Sequence, residues 1–520
     1  MKTNSSIIIF IFMIITGCNR FTGPESGNYP DIQAIKGGYP HLAMWWPDTW
    51  EQPLDELKRY DWIGFGEWDH ISAIEKLKTL NPDQKHFMDY SITETSWSEW
   101  QNNTAVMEKI PSEWFLTQHG TLLAQPLDAN QSTVFVESVA DGQGNALFQI
   151  DDNITCEYET MKVRGINVQD NTLVVERGFV REAASHARGA RIAPHITFWP
   201  KTWVMNMSSL CPKVDIGDGN GPQNWIDFAT RYFDVENKDL WDGFIVDRIE
   251  DEQSWLIPEW CRSIDPDCSN QEIIDGYITF DAAWNEGCVG FLEHLRTELS
   301  GKALISNTSG AYYELLNGAI YEGFPGNWTN DRPETYQEWA GRALGENGYI
   351  NVSKSGYTPN YSLAETYEDE EMPDDDGSYD NPYDNPGFVP DYQKMRYGLT
   401  TALLGNGYFS YEISTAGHGS LGLMWFDEYD NAGKGRGYLG QPEESAYKVM
   451  DAGDGSVWRR EFENGTIICN PTNAEVTVDL GATYWLIDGE QVPDINSGKS
   501  VKKITVGARD GRILLKESHY

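Results

Sequence analysis

From about residue 40 the chain alternates short apolar runs with helix-spaced segments. HLAMWW (41–46), DWIGFGEW (61–68) and KHFMDYSI (85–92) read as strands, each an apolar run between turn-forming or charged residues. PLDELKRY (53–60) and ISAIEKLKTL (71–80) space their apolar residues at i, i+3 and i+4, the spacing of a helix. A Trp-bearing helix is expected near 96–110. Beyond residue 193, PQNWIDFATRYFD (222–234) predicts a helix, GFIVD (243–247) a fourth strand, and DAAWNEGCVGFLEHLRTEL (281–299) a helix. KALISN (302–307), GAIYEGF (318–324), GYINVSK (348–354) and GYFSYEI (407–413) predict strands five to eight, with helices over 334–344 and 391–404. Alternation of this kind predicts an α/β fold, a (β/α)8 TIM barrel.

Two stretches break the rhythm. Over 121–193, TVFVESV, LFQID, EYETMKV and NTLVVERGF read as short strands between Gly, Asn and Asp turns, an inserted small β domain. After a helix expected near 443–451, the chain from Ser456 is all strand and predicts a C-terminal β-sandwich. The expected organisation is a signal peptide over 1–18, a linker over 19–38, the barrel over 39–120 and 194–440, the insert over 121–193 and the sandwich over 455–517.

Composition narrows the partners. A formal charge of −41 argues against nucleic acid, whose binding needs Lys and Arg on phosphates. The 20 Trp and 26 Tyr suit both sugar stacking and core filling. Lys2, the apolar run Ile7–Ile15 and Thr16-Gly17-Cys18 resemble a bacterial lipoprotein signal, which implies a lipid on Cys18 and an exported protein at the outer membrane, cell surface or periplasm. Of the other Cys, Cys261 and Cys268 flank a short acidic loop and are the expected disulfide. No cofactor is expected. The acidic run 365–385 reads as a solvated loop, with calcium over 366–384 as a weaker reading.

Barrel chemistry sits at the C-terminal ends of the strands. There the sequence places Asp247, Arg248 and Glu250 after strand four, Asn307 after strand five, Tyr321 and Glu322 after strand six, and Glu412 after strand eight. Glu67, Asp89, His195, Trp45, Trp46 and Trp199 fall at similar heights as substrate contacts. Carboxylates and Trp without a Ser-His-Asp order or metal-ligand spacing point to glycoside hydrolysis, which uses two carboxyl groups across the scissile bond. Asp247 and Glu322 are the expected pair, with Glu250 as rival second carboxylate. A non-catalytic polysaccharide-binding lipoprotein, or an adhesion protein working through the insert, are the alternative readings.

The order GFIVD, GAIYEGF, MRYGLTTALLGNGYFSYE, MWFDEYD with GYLGQP, then RREFENGTIICNPT resembles the hypothetical glycosyl hydrolase family 15 across most of residues 40–515. The resemblance implies a carbohydrate-active (β/α)8 barrel. More distantly, an Asp after strand four and an acid after strand six are similar to barrel α-glycosidases. That similarity implies Asp247 as nucleophile and Glu322 as acid/base. The stretch ERGFVREAASHARGARI resembles the closing segment of small β modules of phage tail and secreted proteins, and implies an interaction or spacer role for the insert.

Overall fold

The computed structural model describes residues 37–45, 47, 54–66, 71–96, 110–198, 202–232, 238–258, 260–270, 277–307, 311–325, 357, 359–368, 389–413, 424–429, 435–453 and 455–518. Cys18, Glu67, Trp46, Trp199, the expected strand 348–354, and most of the 366–384 run lie outside the described residues.

The framework is parallel. Strands β1 (Ala43–Trp45), β2 (Trp62–Gly66), β3 (Lys85–Ser91), β4 (Gly243–Asp247) and β5 (Ala303–Ser306) form one sheet in chain order. Strands β6 (Ile320–Tyr321), β7 (Leu363–Glu368) and β8 (Tyr408–Ile413) form a second. Parallel bridges Ser306–Ala319 and Leu42–Phe409 link the two sheets at both margins. Helices α1 (Leu54–Leu57), α2 (Ile71–Leu80), α3 (Trp225–Tyr232), α4 (Tyr277–Glu298) and α5 (Tyr392–Leu404) intervene.

Side-chain alternation gives these strands two separate cores. Ala43, Trp45, Trp62, Phe87, Ile245, Ala303, Ile305, Ile320, Leu363 and Tyr408, together with Tyr361 just before β7, make one apolar cluster to which all eight strands contribute. Their neighbours Met44, Ile63, Phe65, Met88, Phe244, Val246, Leu304, Tyr321, Ala364, Phe409 and Tyr411 belong to a second, larger cluster shared with the helices. Successive residues of a strand face opposite sides, so the first set points inward and the second outward. The inner space is filled to contact. A Cβ on Gly64 would lie 2.6 Å from Ile245 Cδ1 and 2.8 Å from Trp45 Cδ1, so only glycine fits.

The seventh strand differs from expectation. It is Leu363–Glu368, at the head of the acidic run. Pairing with β8 along its whole length overrides the acidic composition of the residues C-terminal to it.

Residues 121–194 form a six-stranded antiparallel sheet with its own core of Leu123, Val134, Ile154, Met161, Val163, Leu173 and Ile192. It lies in the chain between β3 and β4, which are themselves paired neighbours. Arg191 to Asp265 (2.6 Å) and Arg262 to Asp152 (2.6 Å) tie it to the segment after β4.

The C-terminal strands form one six-stranded antiparallel sheet, Tyr447–Ala452, Gly455–Glu461, Gly465–Asn470, Val476–Leu486, Ser500–Val506 and Asp510–Leu515, rather than two separate sheets. Its alternation again splits: Ile467, Cys469, Ile513 and Leu515 join the large core, whereas Ile468, Val476, Val478, Ile504 and Leu514 enclose a small one. The helix expected near 443–451 is the edge strand Tyr447–Ala452, because pairing with Gly455–Glu461 outweighs local propensity. Helix α5, capped by Asp391 accepting from Gln393 N and Lys394 N, packs between this sheet and β7–β8. Asp427, which accepts from Glu490 N and Gln491 N (both 2.8 Å), adds a second brace.

Candidate active site

The inward register continues past the apolar plug. Two residues beyond Phe87, Ile245, Ile305, Ile320, Leu363 and Ser410 stand Asp89, Asp247, Asn307, Glu322, Glu365 and Glu412. Period-two alternation therefore brings five carboxyl groups and one amide to the C-terminal mouth of the ring.

Asn307 joins the two expected catalytic acids. Its Nδ2 donates to Glu322 Oε2 at 2.6 Å and to Asp247 Oδ1 at 3.2 Å. One nitrogen bonded to both oxygens caps their separation at the sum of those distances. Each carboxyl group thus brings one oxygen to a common donor, a close approach that suits the roughly 5–5.5 Å spacing of a nucleophile pair.

Around this pair several acids are buried. Glu412 is fully buried. Burial pushes its carboxyl up to about 8; a hydrogen bond with Glu365 opposes the rise, and the charge of Glu322 adds to it. Glu94, on a short strand (Glu94–Ser96) paired with Thr202–Val204, is pushed up to about 7 by burial, against the pull of Arg248 and a hydrogen bond from Thr202. Burial likewise raises Glu250, which also feels Asp251 and Glu322. A carboxylate removed from water without full compensation holds its proton.

Arg248 follows Asp247 in a left-handed conformation, φ 57°. That turn carries its guanidinium to Glu94 (3.0 Å) and Glu250 (3.3 Å). The same guanidinium lies 3.7 Å from the centroid of Phe198. Glu250 is fixed through its backbone, whose carbonyl accepts from Trp284 Nε1 (2.9 Å) and Tyr312 Oη (3.1 Å).

Several expected contacts fall elsewhere. Trp45 is buried in the inner plug, 1% exposed, so its ring is not a sugar platform; its Nε1 donates to Asp89 Oδ2 at 2.6 Å. Tyr321 faces outward into the helix layer, where its hydroxyl meets that of Tyr313, because it is one residue out of phase with Glu322. His195 is buried at the root of the insert, stacked on Trp203 at 4.3 Å. Burial lowers it to about 3, aided by Arg181 and Arg191, so it is a neutral packing ring. Cys261 and Cys268 are free thiols. Cys261 Sγ turns to Leu256 O at 3.6 Å, and burial pushes both thiols up to about 12.

Sequence reasoning missed Glu94, Glu365 and the aromatic group of Phe198, Trp255 and Trp260. Glu365 was hidden at the start of an acidic run; its signal is a position two residues beyond Leu363 in the inward register. Glu94 stood next to an expected helix.

Comparison with known proteins gives one sequence-level result. The model of a family described as hypothetical glycosyl hydrolase family 15 matches residues 183–466, over half of the chain. No curated protein matches. Solved structures similar to this chain include the glycoside hydrolase domain of PelA from Pseudomonas aeruginosa, at 13% identity and TM-score 0.31 over 72% of this chain and 95% of that one. A maltogenic α-amylase, AmyB, from Thermotoga neapolitana is similar at 11% identity and TM-score 0.39 over 92% and 99%. A GH36 α-galactosidase, AgaA, from Geobacillus stearothermophilus is similar at 9% and 0.39 over 92% and 56%. Scores this low carry neither fold nor chemistry to this chain.

Proposed function

The chain belongs to the hypothetical glycosyl hydrolase family 15, and from that premise we propose that it is a retaining glycoside hydrolase built on a (β/α)8 barrel, with Asp247 as nucleophile and Glu322 as acid/base. The observation that carries this reading is the shared hydrogen-bond donor: Asn307 Nδ2 brings an oxygen of each carboxyl group to one nitrogen, a close approach of the kind a nucleophile pair needs.

In the first step Glu322 gives its proton to the glycosidic oxygen as Asp247 Oδ attacks the anomeric carbon. The C–O bond to the leaving sugar breaks, and a glycosyl ester on Asp247 forms. In the second step Glu322, now ionised, takes a proton from water; the hydroxyl adds to the anomeric carbon and Asp247 leaves as carboxylate. Glu250 and Glu412 lie close enough to Glu322 to feel its charge, and mutual repulsion among these carboxyl groups favours a proton within the cluster. Asn307 donates to whichever carboxylate is ionised and holds the geometry across both steps.

The test is covalent trapping. Incubation with a panel of 2-deoxy-2-fluoro glycosyl fluorides of neutral sugars is expected to leave one glycosyl adduct, mapped by peptide mass spectrometry to Asp247. An adduct on another carboxylate reassigns the nucleophile. Inverted anomeric products from any cleaved substrate overturn the retaining mechanism.

A further inference from the structure

Beside the carboxylates lies an aromatic surface that the reaction itself does not use. Trp255 and Trp260 are 41% and 45% exposed, unusual for the largest apolar side chain in water. Both meet Phe198 edge-on, with ring centroids 5.3 Å and 4.9 Å apart. Phe198 in turn lies on the Arg248 guanidinium, 3.7 Å from its centroid, and Arg248 pairs with Glu94 and Glu250 at the ring mouth. The aromatic surface is thus continuous with the catalytic cluster rather than a separate patch.

The segment that presents these rings is fixed before any ligand arrives. Asp281 on α4 accepts from Gln253 N (3.0 Å), Ser254 N (2.9 Å) and Ser254 Oγ (2.5 Å), which pins the short turn Ser254–Leu256. Leu256 is buried beneath it, and its carbonyl accepts from Trp260 N at 2.8 Å. Rings held this way lose little entropy on binding. Burial of Leu256 anchors the turn while the two indoles stay largely exposed.

We propose that Phe198, Trp255 and Trp260 form a binding platform for the pyranose rings of a neutral polysaccharide, outside the cleavage point, so that the chain acts on long glycans. The proposal rests on the reading of the strand ends as a glycan site. An uncharged chain is specified by electrostatics: the protein carries a formal charge of −41, which disfavours uronic acids and sulfated sugars. A flat sugar face of C–H groups suits an aromatic ring, and binding energy gathered there is available to the reacting centre.

Affinity electrophoresis tests this without turnover. The protein is run in native gels containing galactomannan, mixed-linkage β-glucan, xyloglucan, soluble starch or polygalacturonate. At least one neutral polysaccharide should retard it, polygalacturonate should not, and W255A/W260A should weaken the retardation at least tenfold. W255F/W260F should keep most of it, which separates ring stacking from loss of fold. Absence of retardation in every neutral gel, equal retardation of W255A/W260A, or retardation by polygalacturonate each overturns the proposal. A concentration-dependent dimer abolished by W255A/W260A, with no retardation, makes the patch a self-association surface instead. Retardation with no sugar released leaves the platform standing and removes the hydrolase; sugar released without a platform effect does the reverse.

Discussion

Glu412 and Glu159 are both fully buried glutamates, and they behave oppositely. Glu412 sits at the mouth of the parallel strands among other acids and is pushed up to about 8. Glu159 sits in the insert and is held down at about 2, where Arg177, His186 and the Ala184 amide outweigh its burial. Arg177 grips both its oxygens at 2.6 Å, and His186 bridges it to Glu157 at 2.8 Å and 2.7 Å. A carboxylate built for structure is saturated with donors. One buried beside other acids holds its proton instead, and such a raised group marks a candidate site.

The largest expected effect comes from that contrast. Asp247→Asn and Glu322→Gln should each lower turnover at least about 1,000-fold, about 4 kcal/mol of transition-state stabilisation, while circular dichroism and melting temperature stay near the parent. Retained turnover in either variant dismisses the pair.

Next in size is the mirror experiment in the insert. Arg177→Ala leaves Glu159 buried and charged, a change that costs about 3–5 kcal/mol for a buried pair. Denaturant unfolding should show that loss, with activity per folded molecule unaltered. An unchanged midpoint would mean that water reaches Glu159.

pH sharpens the comparison further. Glu159 lies below its ordinary value, so its contribution is complete above about 4.5 and fades as pH falls toward 2. His186 is raised to about 10 by hydrogen bonds to Cys156, Glu159 and Glu157 that overcome its desolvation; its contribution is complete below about 6.5 and fades as pH rises toward 10. Glu412 is raised as well, so the folded state loses stability relative to the unfolded chain as pH climbs from about 4.5 to about 8. Glu412→Gln removes that dependence. Its melting temperature should gain on the parent between pH 5 and pH 8; a constant difference refutes the assignment.

The smallest effect concerns the plug beneath the site. Trp45→Phe deletes the hydrogen bond to Asp89 and should cost about 1 kcal/mol, the net worth of one buried hydrogen bond. An altered pH–rate profile in this variant would bring Asp89 into the chemistry.

Much of this was legible because strand and helix periods differ. GFIVD reads as a buried strand ending in an acid, and it is Gly243–Asp247. ISAIEKLKTL reads as a helix, and it is Ile71–Leu80. What stayed hidden depended on phase within a strand. Tyr321 and Glu322 are adjacent in sequence, yet only the register with Ile320 decides which of them faces the ring interior. Trp45 looked like a platform because composition cannot tell an inward ring in a filled plug from one at the rim. Glu365 was masked by its neighbours, since a run of acids reads as solvated loop until a paired strand claims its first residue. The Arg248 pairings arise from a left-handed backbone turn that no sequence pattern announces.

The inserted sheet begins at Thr121–Leu122 and closes at Arg191–Pro194, and these strands pair, Thr121 with Ile192. The chain therefore departs and returns through a single doorway between two strands that are already partners. A module hung on such a doorway can be exchanged at one splice, provided that the ion pairs of Arg191 with Asp265 and Arg262 with Asp152 are replaced with it. The same strand ends could then carry a different appendage by design.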